Sequence, residues 1–382
     1  MPVFHSLWTL GTYLVPFIFV LSLVVFFHEL GHFLVGRACG VKVDAFSLGF
    51  GPEIAHYTDS RGTRWRLAAL PLGGYVRFHG DANGASEPDF KAEAAMPESE
   101  RAVSFFAQKV WKRAAVVAAG PIANFVLALV IFTGLFYFEG RQILTPRIDS
   151  VIAGGRAAAA GFQKGDLVLS IDGQKIDSFL EMQRIVSSSG DMTLHFVVER
   201  AGQPVVIDAT PERKDTKTPF GMNRAGVLGV SAGGGAEKDW RQQTYSLPMA
   251  AVEAGRETWY VVERTGSYLG GLVVGRESPE QLSGPIRIAE VSGEVAKAGL
   301  WPLFNLAAIL SISVGLLNLL PVPLLDGGHL LYYAFEALRG KALPPRAQEF
   351  GFKVGLAFVA ALMLVATYND IVRLTRQWLN LG

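Results

Sequence analysis

His28-Glu29-Leu30-Gly31-His32 places two imidazoles four residues apart, with a carboxylate between them. On a helix, positions four apart share one face about one turn apart. Two ring nitrogens can then reach one zinc ion, each at roughly 2.0–2.1 Å. Glu29 stands beside them and can take a proton from a water whose pKa such a metal lowers to about 7. This is the chemistry of metal-assisted peptide hydrolysis, and H-E-x-x-H is its sequence signature. The motif interrupts an apolar run. A charged residue at the centre of a membrane helix costs about 2.5–3.5 kcal/mol. The set therefore reads as functional rather than as polar glue between helices.

A catalytic zinc needs a third protein ligand and an open position. The candidate segment is Asn318-Leu-Leu-Pro-Val-Pro-Leu-Leu-Asp-Gly-Gly-His329. Pro321 and Pro323 break the helix and free carbonyls, while Gly327 and Gly328 let backbones approach closely. Asp326 is then an acid at membrane depth that a zinc ion would neutralise. His329, three residues further on, is the rival ligand. Asn318 either donates to the oxyanion formed during hydrolysis or bonds backbone freed by Pro321. Asn124, in Gly120-Pro121-Ile-Ala-Asn124, is either an interhelical hydrogen-bond residue or part of the site. His5, His56, His79 and His195 fall on predicted loops or strands and read as surface or packing residues. Cys39 is the one cysteine, which excludes an intramolecular disulfide and reads as a small apolar filler.

The elements that must position these residues are membrane spans. Of 382 residues, half are hydrophobic and 18% are charged, and the mean hydropathy is +0.29. The apolar residues fall in blocks, each near the roughly 20 residues that a span needs. Spans are predicted at about 10–35, 114–138, 303–335 and 354–368. The net charge of +1 gives no reason to expect nucleic acid as a partner. The first 36 residues hold no Lys or Arg, unlike a signal peptide's basic n-region. Basic residues at Arg37, Lys42, Lys109, Lys112, Arg113, Arg339, Lys341, Arg346 and Lys353 put those flanks in the cytoplasm. The 139–302 segment then lies outside. Arg373 and Arg376 run against that scheme.

Residues 43–78 have strand character, with short strands at Arg64–Leu70 and Tyr75–Phe78. Residues 81–100 read as a loop. A soluble α+β module is predicted over 142–213, with a helix at about 178–187 and strands at 193–199 and 204–210. Residues 214–246 read as irregular and 247–274 as an amphipathic helix. The fold class is thus a mainly α membrane protein: the core halves 1–138 and 303–382, the module, and a 214–302 linker.

Together these motifs resemble the site-2 protease family (peptidase M50), in its branch of bacterial regulator of sigma-E proteases (RseP-like). The resemblance covers nearly the whole chain. It rests on the H-E-x-x-H of the first span, the L-D-G-G of the third, and a single PDZ-like module between spans. Gly49-Phe-Gly-Pro52 and Leu70-Pro-Leu-Gly-Gly-Tyr-Val76 are also similar to family segments. It implies one Zn2+ per chain on His28, His32 and Asp326, with Glu29 as base. It implies that Gly73, Gly74, Tyr75 and Val76 belong to a membrane-associated β-hairpin that holds substrate extended. It implies substrates that are single-span membrane proteins, anti-sigma factors or signal-peptide remnants among them. The location implied is the bacterial inner membrane, with the PDZ-like module periplasmic, able to bind chain termini or to filter by size, and the active site toward the cytoplasm. Two departures stand out: one PDZ-like module where some members carry two, and Ser313 where close relatives have Asn. A catalytically dead PDZ scaffold and a transporter using a proton relay are the alternatives. An intact Glu29 opposes the first, and the absence of inverted repeats opposes the second.

Overall fold

Helix α1 (Pro2–Ala38) carries apolar residues on every side, as a helix surrounded by hydrocarbon does. It ends at Gly40, whose φ of 85° lets the Val41 N–H turn back to the Gly36 carbonyl at 3.0 Å. The computed structural model describes residues 2–81, 96–218, 221–233, 239–275 and 284–378. Residues 82–95, most of the loop expected at 81–100, lie outside the described residues. His5 lies within α1 rather than on a loop.

Two long strands follow, β1 (Val43–Thr58) and β2 (Arg64–Phe78). Ser47 of β1 stands opposite both Tyr75 and Arg66, so the first half of β1 lies between two stretches of β2. The 74–78 stretch pairs with 43–48 alone. Among the described residues its other edge has no strand partner. The first half of β1 is buried and the second half is exposed throughout. The sheet is fastened to α1 by aromatic contacts: Phe33 of α1 meets Phe46 edge-on at 5.7 Å between centroids and Trp65 edge-on at 4.9 Å. After a short helix, α2 (Glu98–Arg101), comes α3 (Val110–Phe138), whose Val116 and Val117 join this cluster with Phe78 and Phe105.

The chain divides into two units. The second comprises Phe136–Met249 and Gly271–Ser278. It contains β3 (Arg141–Leu144), β4 (Ile148–Val151), α4 (Arg156–Ala160), β5 (Leu167–Ile171), β6 (Gln174–Lys175), α5 (Phe179–Ser188), β7 (Leu194–Arg200) and β8 (Gln203–Ala209). The last four strands form one sheet in the order β6-β5-β7-β8. Asp172 and Gly173, both at positive φ, make the tight turn between β5 and β6. Ser178 caps α5 by accepting the Glu181 N–H at 3.1 Å. Residues 214–246, expected to be irregular, are largely strand: β9 (Glu212–Thr218), β10 (Gly221–Val227), β11 (Val230–Ala232) and β12 (Trp240–Gln243). β11 pairs with β4 and β12 with β3. Those partners lie far away in sequence, and strands of three and four residues are too short to show an alternation that would announce them.

Inside this unit the Asp166 carboxylate is fully buried and bonded by Arg200 through Nε and a terminal nitrogen, both at 2.8 Å. Burial pushes the Asp166 pKa up, but the Arg200 and Gln163 N–H hydrogen bonds and the guanidinium charge outweigh it, so the net shift is downward. Its contribution to stability is complete above the unfolded value of about 3.9 and is lost as pH falls through the lower folded value. Arg200→Ala leaves the carboxylate buried and unpaired. It is expected to cost about 3 kcal/mol, the low end for such a loss, because 28% of the Arg200 side chain is exposed. Hydrogen exchange of β5 and β7 in the full chain measures it. Unchanged protection above pH 5 would refute the assignment.

Returning to the first unit, α6 (Leu247–Val273) is the expected amphipathic helix, followed by α7 (Pro285–Lys297), α8 (Leu300–Asn318), α9 (Asp326–Arg339) and α10 (Pro345–Trp378). The apolar block expected as one span at 303–335 is two helices. Pro321 lacks the N–H that would continue α8, and Pro323 prevents a restart before Asp326. Among the described residues, four helices are long and apolar enough to cross a membrane: Gly11–Ala38, Val110–Phe138, Leu300–Asn318 and Arg346–Thr375. These are the spans of a multi-pass membrane protein.

Candidate metal centre

The last third of α1 carries His28, Glu29 and His32, and α9 begins with Asp326. The Nε2 atoms of His28 and His32 are 3.2 Å apart. Asp326 Oδ2 lies 3.3 Å from the first and 3.6 Å from the second. A tetrahedral zinc with bonds of roughly 2.0–2.1 Å has ligand atoms about 3.3 Å from one another. The trio already has that spacing. Asp326 Oδ2 is also buried without a hydrogen-bond partner, a state that is costly unless something positive faces it. Among the described residues this is the one group of three His, Cys, Asp or Glu donors so arranged. The donor set and the orphaned oxygen therefore fit a divalent cation. His329 lines the same cavity but stands outside the trio.

Both imidazoles are oriented from behind by α3. His32 Nδ1–H donates to the Val116 carbonyl at 2.9 Å. The Asn124 carboxamide lies 3.2 Å from His28 Nδ1. With Nε2 facing the metal, Nδ1 carries the ring proton. Asn124 Nδ2 is the atom placed nearest that nitrogen, and turning the amide over would bring its oxygen, a buried atom otherwise unpaired, to accept from Nδ1–H. Ser311 of α8 donates to the Asn124 main-chain carbonyl at 2.9 Å, tying the third span to the second. Ser313 does not take part: its hydroxyl bonds Ile309 within α8 at 3.0 Å.

Close approach of α1 and α3 depends on missing side chains. A Cβ on Gly31 would stand 2.3 Å from the Ala119 carbonyl oxygen. One on Gly120 would stand 2.2 Å from His32 Nε2 and 2.9 Å from His28 Cε1. Gly120→Ala raises helix propensity by roughly 1 kcal/mol, yet it is expected to displace the ligand nitrogens and reduce zinc affinity by at least about tenfold, the low end for disturbing ligand orientation. Zinc content after dialysis against a graded chelator measures this. Wild-type retention would show that the imidazoles do not sit on Gly120. The carbonyl of Val116 and the role of Ser311 were not legible in the sequence. The small residues at 119, 120 and 123 were the available signal for a tight helix crossing.

The three ligand candidates open on a cavity of about 200 Å3, also lined by Glu29, Gly74, Tyr75, Val76, Asn318 and Leu324. The Glu29 carboxylate accepts the Val76 N–H. A Cβ on Gly74 would stand 3.2 Å from Glu29 Cγ and 2.8 Å from the Ser47 carbonyl oxygen. The glycine thus lets the unpartnered edge of β2 pass directly over the acid. Gly73, with φ 135°, lies beyond the lining, where Phe50 covers it. Leu324, at φ 106°, is held in a conformation that costs about 1–3 kcal/mol, at the turn that delivers Asp326. The remaining histidines are elsewhere. His79 bonds Asp44 at 3.1 Å, His56 lies 3.5 Å from Glu53, and His195 lies 2.7 Å from Asp208.

Comparison with known proteins bears on this geometry. The sequence profile of peptidase family M50 matches residues 16–362. The chain is 47% identical over 360 residues to the putative zinc metalloprotease Atu1380 of Agrobacterium fabrum, covering 94% of this chain and 95% of that one. It is 40% identical to the metalloprotease MmpA of Caulobacter vibrioides, covering 94% and 95%. With the putative zinc metalloprotease RC0203 of Rickettsia conorii the identity is 30%, covering 94% and 99%.

Proposed function

The chain belongs to peptidase family M50 and is a zinc metalloendopeptidase, and from that premise we propose that it hydrolyses peptide bonds within the membrane-spanning segments of single-span proteins. The observation that carries this reading is the His28, His32 and Asp326 trio at tetrahedral spacing, its two imidazoles on a helix apolar enough to cross a membrane and its acid just past the end of another. A soluble substrate would give no reason to build the site there.

One Zn2+, held by these three residues, would supply Lewis acidity for the scissile carbonyl and acidify the attacking water. Glu29 takes the proton from that water and passes it to the departing amine. Asn318, on the cavity wall, is the candidate donor to the oxyanion. A helical substrate hides its peptide bonds in its own hydrogen bonds. The free edge at Gly74–Val76 offers backbone partners that hold an unwound segment extended across the metal. Gly73 sets the turn that leads into this edge.

The second unit is read as a PDZ-like domain on the periplasmic side of the inner membrane, with the metal centre toward the cytoplasm. Its small antiparallel sheet and capped helix support that reading, as do the basic residues after span one, before span two and between spans three and four. Its partners would be exposed chain termini or bulky substrate ectodomains. Hydrolysis of a transmembrane model substrate by the purified chain tests the proposal. Cleavage should stop with a zinc chelator and return with added zinc. Cleavage only of soluble peptides, or only outside the membrane segment, would refute it.

A further inference from the structure

Helices α1, α7 and α10 enclose a second cavity of about 570 Å3. Arg287, Glu290 and Glu294, three and four residues apart, present one charged face of α7 to it. From α10, Arg373 donates to Glu290 at 2.6 Å, and Arg287 lies 3.6 Å from the same carboxylate. Glu294 is exposed and forms no ion pair among the described residues. The ring therefore carries two positive and two negative groups, with one carboxylate uncommitted.

Depth identifies what this ring faces. Arg373 follows the apolar run of α10 at 354–368, past Asn369 and Asp370, and Tyr13 is an aromatic residue with a polar tip. Both line the cavity, so it opens at the level where lipid headgroups meet the hydrocarbon. Leu14 and Phe17 continue its wall into the apolar layer. The wall is also preformed. Asp370, 2% exposed, accepts the Gly284 N–H at 3.3 Å and the Arg287 N–H at 3.0 Å, pinning the start of α7 to α10. That cap uses up the helix terminus, so an anion entering the cavity must rely on the two guanidinium groups.

We propose that this cavity binds the headgroup of a zwitterionic phospholipid bearing a primary ammonium. Its phosphate takes N–H groups of Arg287 and Arg373 that their pairing with Glu290 leaves free, its ammonium lies at Glu294, and its acyl chains run past Leu14. Guanidinium and phosphate form charge-assisted hydrogen bonds, and the ammonium completes the balance of the ring. An anionic headgroup would leave Glu294 facing negative charge. A quaternary ammonium has no N–H to offer the carboxylate. The aromatic face that could receive it instead is taken, because Lys297 Nζ sits 4.8 Å from the Tyr13 ring centroid and donates to its hydroxyl at 3.1 Å.

The test uses the purified full chain, stripped of lipid in detergent and titrated with phosphatidylethanolamine, phosphatidylcholine or phosphatidylglycerol under native mass spectrometry. One phosphatidylethanolamine should bind about tenfold tighter than either competitor, the scale of one charge-assisted hydrogen bond. Glu294→Gln, on an exposed residue without a structural bond, should bring phosphatidylethanolamine down to the phosphatidylcholine level. Arg287→Gln should weaken both alike, because they share the phosphate. Equal binding of the ethanolamine and choline lipids by the native chain would overturn the proposal. A preference that survives Glu294→Gln would overturn it too, as would phosphatidylglycerol or inorganic phosphate binding as tightly as phosphatidylethanolamine.

Discussion

Glu29→Gln is expected to lower the rate of transmembrane-substrate cleavage by about a thousandfold, within the 10²–10⁴ range of a positioned general base. In barrier terms that is about 4 kcal/mol. Zinc content should not change, because Glu29 lies outside the ligand trio. The substitution is nearly isosteric, so the sheet edge above it should stay in place: the Gln oxygen still accepts the Val76 N–H. What disappears is the capacity to accept a proton and return it. The decisive pair of measurements is turnover and metal content on the same preparation. A variant that cuts at the native rate with zinc bound would remove Glu29 from the chemistry. A variant that loses zinc would make the acid a metal-site residue instead of a base.

Asp326→Asn is expected to have the opposite signature. Zinc affinity should drop by at least about 100-fold, the upper end of what losing a ligand's hydrogen-bond partner costs, and activity should fall with it. The amide keeps the shape at the start of α9, so the helix should survive. It removes the negative charge that stands 3.3 Å and 3.6 Å from the two imidazole nitrogens. Elemental analysis after dialysis reads the effect directly. Native zinc content in the variant would pass the ligand role to His329, which shares the cavity. Excess zinc should restore part of the Asp326→Asn activity and none of the Glu29→Gln activity, which separates the two roles.

Much of the site was legible because helical periodicity is local. A spacing of four fixes His28 and His32 on one face whatever surrounds them. Apolar runs announce spans, and Pro321 with Pro323 announces a break. The legible signals were weaker where partners are remote. The 303–335 block reads as one span by its apolar length, yet its prolines end α8 at Asn318 and a separate helix begins at Asp326. Strands β11 and β12 fall in a stretch that reads as irregular, because they are defined by pairing with β4 and β3 and not by their own pattern, whereas β9 and β10 pair with each other.

The sequence by itself determined the chemical repertoire: two imidazoles and an acid on an apolar helix, and a second acid after a proline-broken one. Only the tertiary structure decided that Asp326 Oδ2 comes within 3.6 Å of both imidazoles, that Asn124 and the Val116 carbonyl stand behind the rings, and that a strand edge crosses Glu29 at Gly74. The physical reason is one of range. Periodicity and backbone propensity act over a few residues, whereas a metal site is closed by contacts between elements about 300 residues apart, whose approach depends on which side chains are absent at the helix crossings.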